Sequence, residues 1–565
     1  MALSNYLNSD LSNDKYKYDL VVGTTADAIN ASMKMWLHKN APAAKQIWYQ
    51  QIDVGGPITP MEPISGLDVF NIPNGATDLS ETLLESPFMF AINAGFGLPP
   101  GVSPLDIPDI IELTSQRQQV NYNMFFNQFN IVTLDWGRRG QYAWKNYKQP
   151  VGQPYIFNYK VDMNMNAADP SSKFSDLPPD AQRILQNYNT HSMYSVQQLF
   201  LDLNNAGLQS VPTISGIPSN SPVLRTLQED FINTYWKDIN EKKQFVLGYA
   251  VHATNRGTAA SIQPTSLNFQ VVPYYDANGQ ATNKTNLYTL NYLSMTEGRA
   301  LTVGAAFPWN WVDEDKVSEY HGSMAIRRNV FADFLASKIN PFLSKVCIDP
   351  SSHITISNAG FSWSSTFNIS SSSNGQFSAT DTGPTILEFS FTGSSQSSDK
   401  SGLISGHFNM NSSASGSVSV SGNEITLKID SNVNMDFDNG DIGGAGAVKG
   451  SIGSYSLETK WQVSVDAQGA VNVATMQGYP HSTVKGPHLS EGAFSKIDGS
   501  HNVGSKLSNM FNEMTNQMKN FSTVLRDYLN SSGGRWIFPG GNTFIFKDAV
   551  FSQSQDFVAH ISYGD

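Results

Sequence analysis

The apolar positions near the end of the chain repeat in steps of three and four residues. They are Val503, Leu507, Met510, Phe511, Met514, Met518, Phe521, Val524, Leu525 and Tyr528. This spacing puts one continuous apolar stripe on a helix and predicts a single helix over 503–529. Such a helix would be roughly 40 Å long at about 1.5 Å per residue. Because only one side is apolar, it needs a long apolar surface to lie on.

Between His353 and Met476 the apolar positions instead alternate with polar ones. The alternating positions include Leu387, Phe389, Phe391, Ile425, Leu427, Ile429, Tyr455, Leu457, Trp461 and Val463. A period of two predicts an antiparallel sheet with one apolar face and one face of Ser, Thr and Asn. The apolar face is the surface that the 503–529 helix requires, so the pattern predicts a sheet that curls around a long helix.

In the first part of the chain, segments with the helical spacing of three and four residues are interspersed with segments of period two. A strand is predicted at Tyr18–Val22, with a short amphipathic helix following it through Leu37. Further helices are predicted over 222–239 and 326–346, the second containing Pro341. We therefore expect an elongated α+β protein in which long amphipathic helices are wrapped by curved antiparallel sheets. Two units are expected, 1–348 and 349–565, with an insertion at about 40–180 in the first.

Composition narrows the classes of protein to which this chain can belong. The chain has 565 residues, of which 40% are hydrophobic and 15% charged, and its formal net charge is -12. That acidic balance argues against a general nucleic-acid binder, which needs a basic surface. No apolar run is long enough to predict a membrane-spanning helix. The first residues lack the pattern of a secretory signal, so we expect a soluble protein made inside the cell.

No sequence motif indicates a catalytic site. The ten histidines are scattered, and neither a zinc-hydrolase pair nor a phosphate-binding loop is present. The string Asn434–Asp441 has oxygen ligands at alternate positions, but its Gly comes late and Ala445 stands where a calcium loop needs Glu. A hairpin with a polar side is the better interpretation. We expect a non-enzymatic protein without metal or cofactor.

The lone cysteine, Cys347, leaves two interpretations open. It is either a buried small apolar residue or an exposed thiol that forms a disulfide between two copies of the chain.

Several segments together resemble a known family. They are Phe245–Tyr249, Pro264–Phe269, Leu290–Met295, Trp309–Val312 with Met324–Ile326, and Phe538–Phe544. They are similar to the forty-seven-kilodalton protein encoded beside clostridial neurotoxins and to its OrfX relatives. The resemblance covers about 222 to the C-terminus and Tyr18–Leu37 more weakly. It implies a tubular lipid-binding (TULIP) fold, lipid binding and association with toxin clusters, and it supplies no catalytic residues.

Two functions follow as hypotheses. In the first, a lipid or another apolar ligand lies between the long helix and the sheet, in contact with Met510, Met514, Met518 and Phe521. Methionine favours this because its unbranched side chain adapts to irregular partners. In the second, the chain is a self-assembling structural or storage protein, such as a crystalline inclusion, with contacts between copies through Cys347.

Overall fold

The computed structural model describes most of the chain. The described residues are 5–39, 45–51, 58–61, 68–77, 88–116, 118–136, 142–167, 181–183, 185–186, 194–210, 217, 221, 223–224, 227, 246–253, 262–301, 304–357, 362–440, 442, 446–489, 497, 500–531, 536–537 and 543–563. The helix predicted over 222–239 lies almost wholly outside them.

Strands dominate the described residues. In chain order they are β1 (Leu20–Thr25), β2 (Lys45–Gln51), β3 (Ile58–Met61), β4 (Phe88–Phe96), β5 (Ile111–Leu113), β6 (Gln119–Trp136), β7 (Tyr142–Lys148), β8 (Tyr155–Ala167), β9 (Tyr194–Ser210), β10 (Val246–Ala253), β11 (Pro264–Val272), β12 (Thr289–Thr296), β13 (Gly322–Ile326), β14 (Ile348–Ser357), β15 (Ser362–Ser371), β16 (Ser378–Ala379), β17 (Thr385–Ser401), β18 (Ile404–Ser421), β19 (Glu424–Asp438), β20 (Ala447–Val465), β21 (Val471–Thr475), β22 (His481–Lys485), β23 (His488–Leu489), β24 (Trp536–Ile537), β25 (Phe544–Phe551) and β26 (Phe557–Tyr563). The longer helices are α1 (Ala26–Lys39), α2 (Arg328–Leu343), α3 (Ser500–Lys519) and α4 (Phe521–Asn530).

A six-stranded antiparallel sheet joins the beginning and the end of the chain. Its strand order is β11-β12-β1-β13-β26-β25. All six residues of β1 are buried, which explains its continuous apolar and β-branched sequence. The strand predicted at Tyr18–Val22 is confirmed, displaced by two to three residues. The division near residue 348 stays a prediction, but any such division leaves β25 and β26 in the sheet of the first part.

A ten-stranded sheet is built mainly from the segment expected to be an insertion. Its main order is β24-β10-β9-β8-β6-β4-β2-β3, with β5 and β7 also pairing with β6. Along β8 the first five odd-numbered residues, from Tyr155 to Met163, are buried and alternate with half-buried ones. The period of two over 155–163 therefore gives β8 one buried face.

An eight-stranded sheet contains the longest strands and the clearest alternation. Its order is β16-β17-β18-β19-β20-β21, and β22 and β23 pair with β20. In β19 the residues from Ile425 to Phe437 are buried at every second position, including Ser431. The period of two between His353 and Met476 is confirmed. One continuous cluster of buried apolar side chains includes Val22, Tyr159 and Leu427, which belong to the three different large sheets.

The strand pair β14–β15 packs against β17 through an unusual set of hydrogen bonds. The main-chain amides of Ser352 and Ile354 donate to Ser395 Oγ and Ser397 Oγ, at 2.9 and 3.1 Å. The amide of Ile356 donates to Asp399 Oδ2 at 2.7 Å. Short polar side chains on β17 therefore satisfy an edge that would otherwise expose unpaired amides.

The predicted helix over 503–529 is interrupted. Asn520, with φ −100° and ψ 2°, separates α3 from α4. The stripe is confirmed at Leu507, Phe511 and Leu525, which are buried, whereas Val524 is 37% exposed. The other side of α3, including Asn512, is exposed. The helices thus lie on the sheet by one side only.

The fold class predicted from the sequence is wrong. About half of the protein is strand and about a fifth is helix, and no long helix is wrapped by a sheet. The prediction treated the apolar stripe as the core of a tube. A one-sided stripe requires one apolar surface and leaves its polar side in solvent, so the helices cover a sheet instead of filling it.

Gly322 marks the closest main-chain approach inside the six-stranded sheet, and it carries a first prediction. A Cβ atom here would lie 2.1 Å from the carbonyl oxygen of Gly23. Because β1 and β13 are buried central strands, neither main chain has room to move. Gly322→Ala is expected to lower the free energy of unfolding by about 2 kcal/mol or more. Gly486→Ala, with no atom within 4 Å of its Cβ, is the control in urea denaturation. Equal midpoints for both variants would contradict the argument.

Candidate functional site

The predicted ligand-contacting residues lie between the helices α3 and α4 and the apolar face of the eight-stranded sheet. We call this region the helix–sheet layer. Met514 and Met518 are fully buried, and Phe521 is 3% exposed. Met510 is half-buried and packs against the same core. The structure therefore brings all four predicted residues to one layer.

Aromatic side chains of β20 complete the helix–sheet layer. Tyr455 stacks on Phe511 of α3, with ring centroids 4.8 Å apart. Trp461 contacts Phe521 of α4 at 5.3 Å between centroids. The Tyr455 hydroxyl lies 2.9 Å from Thr515 Oγ1, and burial raises the pKa of Tyr455 to about 12. The Tyr455 and Thr515 hydroxyls thus form a polar pair inside a mainly apolar layer.

Polar contacts hold the helices at their edges. Lys506 Nζ donates to the carbonyl oxygen of Ile369 at 2.5 Å. At the end of α4, the side-chain amide of Asn530 exchanges two hydrogen bonds with the main chain of Val471, at 2.7 and 2.9 Å. Lys345 and Glu513 form an exposed ion pair at 2.5 Å. Between these attachments, the described residues of α3 are joined to the sheet by apolar packing and by the Tyr455–Thr515 hydrogen bond.

A buried ion cluster joins three strands of the six-stranded sheet. Asp19 is fully buried, and its Oδ2 lies 2.5 Å from Arg299 Nη2. The same oxygen accepts hydrogen bonds from the amide and hydroxyl of Thr296. Arg327 lies 3.4 Å from Asp19 Oδ1. Burial raises the pKa of Asp19, and the two arginines oppose that rise. The contacts of this carboxylate all lie at the ends of β1, β12 and β13, which indicates a structural role.

A second polar cluster surrounds the Arg328 guanidinium, which is 1% exposed. It donates to main-chain carbonyls of the 380–385 segment and to Gln555 Oε1. The main-chain amide of Arg328 donates to Asp556 Oδ1 at 3.0 Å. Asp556 also accepts from Ser9 Oγ and from the amide of Leu11. We call this set the Arg328 node. It joins the start of α2 to three segments that are distant in sequence.

A groove with a cavity of about 550 Å³ lies on the polar face of the eight-stranded sheet, opposite the helix–sheet layer. Side chains from β17, β18, β19, β20 and β22 line it, among them Asp430, Asn432 and Lys485. The sequence does not indicate this groove. The period of two identifies the face of Ser, Thr and Asn but not which of those residues become neighbours across strands.

Cys347 is fully buried at the end of α2, next to Gly375. Burial raises the pKa of its thiol to about 11, so the reactive thiolate is disfavoured at neutral pH. A disulfide between copies requires an accessible thiol, and here the core would have to open first. The structure gives no support to contacts between copies through Cys347.

The acidic residues described within Asn434–Asp441 make contacts with other residues of the sheet and its turn. Asp436 accepts a hydrogen bond from Lys449 at 2.9 Å and lies 3.4 Å from His407. The Asp438 carboxylate accepts from the amide of Gly440. Across the described chain, no group of three or more His, Cys, Asp or Glu residues is placed to hold a metal ion. None of the described helices has the length and apolar character needed to cross a membrane.

Comparison with known proteins gives only remote similarity to solved structures. No protein-family model matches the sequence, and no curated protein matches it. A solved structure of a lipopolysaccharide-binding protein is similar at 8% sequence identity and a TM-score of 0.30, over 97% of this chain and 99% of that chain. Membership of the OrfX family and association with toxin clusters therefore stay predictions.

Proposed function

We propose that this protein is a non-enzymatic binding protein that holds a lipid or another apolar ligand in the helix–sheet layer. The observation that carries the proposal is the arrangement of α3 and α4. Two amphipathic helices lie on the apolar face of a large sheet and present Met510, Met514, Met518 and Phe521 to it. A site of this kind needs apolar walls, adaptable side chains and one wall that can move.

The helix pair is the wall that can move. Its outer side is exposed, and α3 contacts the sheet mainly through apolar side chains. The interruption at Asn520 divides the pair into two rigid pieces, of which α4 is attached at its end through Asn530. Displacement of α3 alone would expose apolar surface on β20 while α4 stays in place.

The ligand must replace contacts that the protein's own side chains now make, because Met514 and Met518 fill the described layer. Burial of apolar surface contributes about 25 cal/mol per Å². An unbranched acyl chain can restore that burial, and methionine can adopt another rotamer at low cost. An apolar ligand fits this layer better than a polar one, which would lose its hydrogen bonds to water.

A disulfide between α3 and β20 provides a direct test. A Cβ atom on Gly453 would lie 3.7 Å from the Cβ of Leu507, within the range of about 3.5–4.5 Å that disulfides adopt. In the Gly453→Cys/Leu507→Cys variant, oxidation holds the helix on the sheet and reduction releases it. We expect the oxidised form to bind cis-parinaric acid at least tenfold more weakly than the reduced form. Fluorescence titration measures both.

The control is Gly453→Ser/Leu507→Ser, which changes the same positions without a crosslink. It should bind the fatty acid equally with and without reductant. Native mass spectrometry of the unaltered protein, followed by solvent extraction, shows whether lipid co-purifies. Equal binding by the oxidised and reduced forms, or no binding by either form and no co-purifying lipid, would overturn the proposal.

A further inference from the structure

The groove on the polar face of the eight-stranded sheet has a floor of short polar side chains. Two rows of residues in register cross five strands. One is Ser390, Ser415, Asp430, Ser456 and Thr483, and the other is Thr392, Ser413, Asn432, Ser454 and Lys485. At about 4.8 Å between strands, the floor is roughly 19 Å long.

Ion-paired long side chains flank this floor. On one side, Lys428 and Glu458 lie 3.7 Å apart on adjacent strands. On the other side, Asp436 pairs with Lys449 at 2.9 Å. The residues that line the cavity of about 550 Å³ lie between these two pairs along the strands. The shape is a groove that runs across the strands.

The polar groups of the floor are largely unused by the protein. Asn432 Oδ1 accepts from Ser451 Oγ at 2.8 Å. Of the ten floor residues, no other has a side-chain hydrogen bond or ion pair with any part of the chain that the structure describes. Seven of the ten carry hydroxyls, and Asp430 and Lys485 balance each other in charge. The groove therefore offers many donors and acceptors and no net charge.

The remaining lining residues belong to the opposite face. Ala414, Ser431 and Tyr455 are buried, and Phe391 packs against the core. They alternate with the floor residues along their strands, so their side chains point away from the groove. The side chains that form the floor are therefore all polar in type, and a strongly charged ligand would find no excess of opposite charge.

We propose that this groove binds a neutral, polyhydroxylated ligand, a short oligosaccharide lying across the strands. Sugar hydroxyls both donate and accept, which matches a floor of Ser and Thr hydroxyls. At the centre, the Asp430 carboxylate can accept from two sugar hydroxyls, and the Asn432 amide nitrogen can donate to a third. The floor is long enough for several sugar units. This site is independent of the helix–sheet layer.

The test is binding of defined neutral tetrasaccharides to the full chain. Cellotetraose, maltotetraose and chitotetraose, each up to millimolar concentration, are titrated by calorimetry and by saturation-transfer NMR. We expect saturable binding of at least one of them. Ser456→Arg places a long side chain on the floor next to Asp430 and should weaken that binding at least tenfold. Asp430→Asn, which preserves shape, should weaken it several-fold through the loss of one acceptor.

Ser398→Arg is the matched control, because Ser398 is exposed on the same face of β17 outside the groove. It should bind like the unaltered protein. Circular dichroism confirms that all variants are folded. The proposal is overturned if no tetrasaccharide binds, if Ser456→Arg and Asp430→Asn both bind normally, or if Ser398→Arg weakens binding as much as Ser456→Arg does. Binding of sialyllactose in preference to all neutral probes would also overturn it.

Discussion

Replacing Arg328 by methionine is expected to lower the free energy of unfolding by about 4 kcal/mol, or to prevent folding. Methionine fills a similar volume but donates no hydrogen bonds. Arg328 is 1% exposed. Its loss would remove the donor to the carbonyl oxygens of Thr382 and Gly383 and to the side chain of Gln555. These hydrogen bonds are partly buried, and a hydrogen bond to a charged group contributes roughly 1.5–3 kcal/mol.

Urea denaturation followed by circular dichroism measures this effect. Arg526→Met is the control, because that side chain is 46% exposed on α4 and its ion-pair partner, Asp527, lies 3.6 Å away. Its cost should stay below about 0.5 kcal/mol. Arg328→Lys tests the geometry, since one ammonium cannot reach all the acceptors of a planar guanidinium. It should recover less than half of the loss. A similar small cost for Arg328→Met and Arg526→Met would show that the Arg328 node contributes little.

The size of this effect follows from where the Arg328 node lies. It connects the start of α2 with the 380–385 segment before β17 and with the turn between β25 and β26. Those elements belong to the six-stranded and the eight-stranded sheets. Loss of the guanidinium therefore weakens the attachment between sheets and not a single loop.

Periodicity in the sequence predicted the elements that bury one face. The alternation in β19 and the helical stripe ending near Leu529 are both present, because each repeats over many residues. The interruption at Asn520 was not predicted, since the stripe continues in phase on both sides of it. The wrapping of the sheet was also predicted wrongly, because an apolar stripe shows that a helix packs against something but not how far that surface curves.

The candidate sites differ in how far the sequence could predict them. Met514 and Met518 lie on a single helix, so their spacing alone places them on one face. The floor of the groove joins residues such as Ser390, Asp430 and Thr483, whose proximity depends on the register of four strand pairs. A slip of one residue in any pair would turn its polar positions to the core. Only the three-dimensional structure shows these residues as neighbours.

Asp556 is expected to make the protein more stable as pH falls from 7 to 4. Complete burial raises the pKa of its carboxyl to about 6, from an ordinary value of 3.8. Its hydrogen-bond donors, Ser9, Leu11 and the amide of Arg328, are all neutral groups. A folded-state pKa above the unfolded value means that the folded protein holds its proton more tightly. The resulting stabilisation is complete below 3.8 and is lost as pH rises through about 6.

Many other carboxyl groups titrate in the same range, so the contribution of Asp556 has to be isolated by difference. Asp556→Asn removes the titration and adds a pH-independent cost, because one side-chain oxygen that accepts hydrogen bonds becomes a donor. Relative to this variant, the unaltered protein should gain roughly 2–3 kcal/mol in unfolding free energy between pH 7 and pH 4. Urea denaturation of both proteins across that range measures the difference. A constant difference would mean that Asp556 titrates normally in the fold, and a difference that shrinks on acidification would mean that its neighbours stabilise the carboxylate more than burial disfavours it.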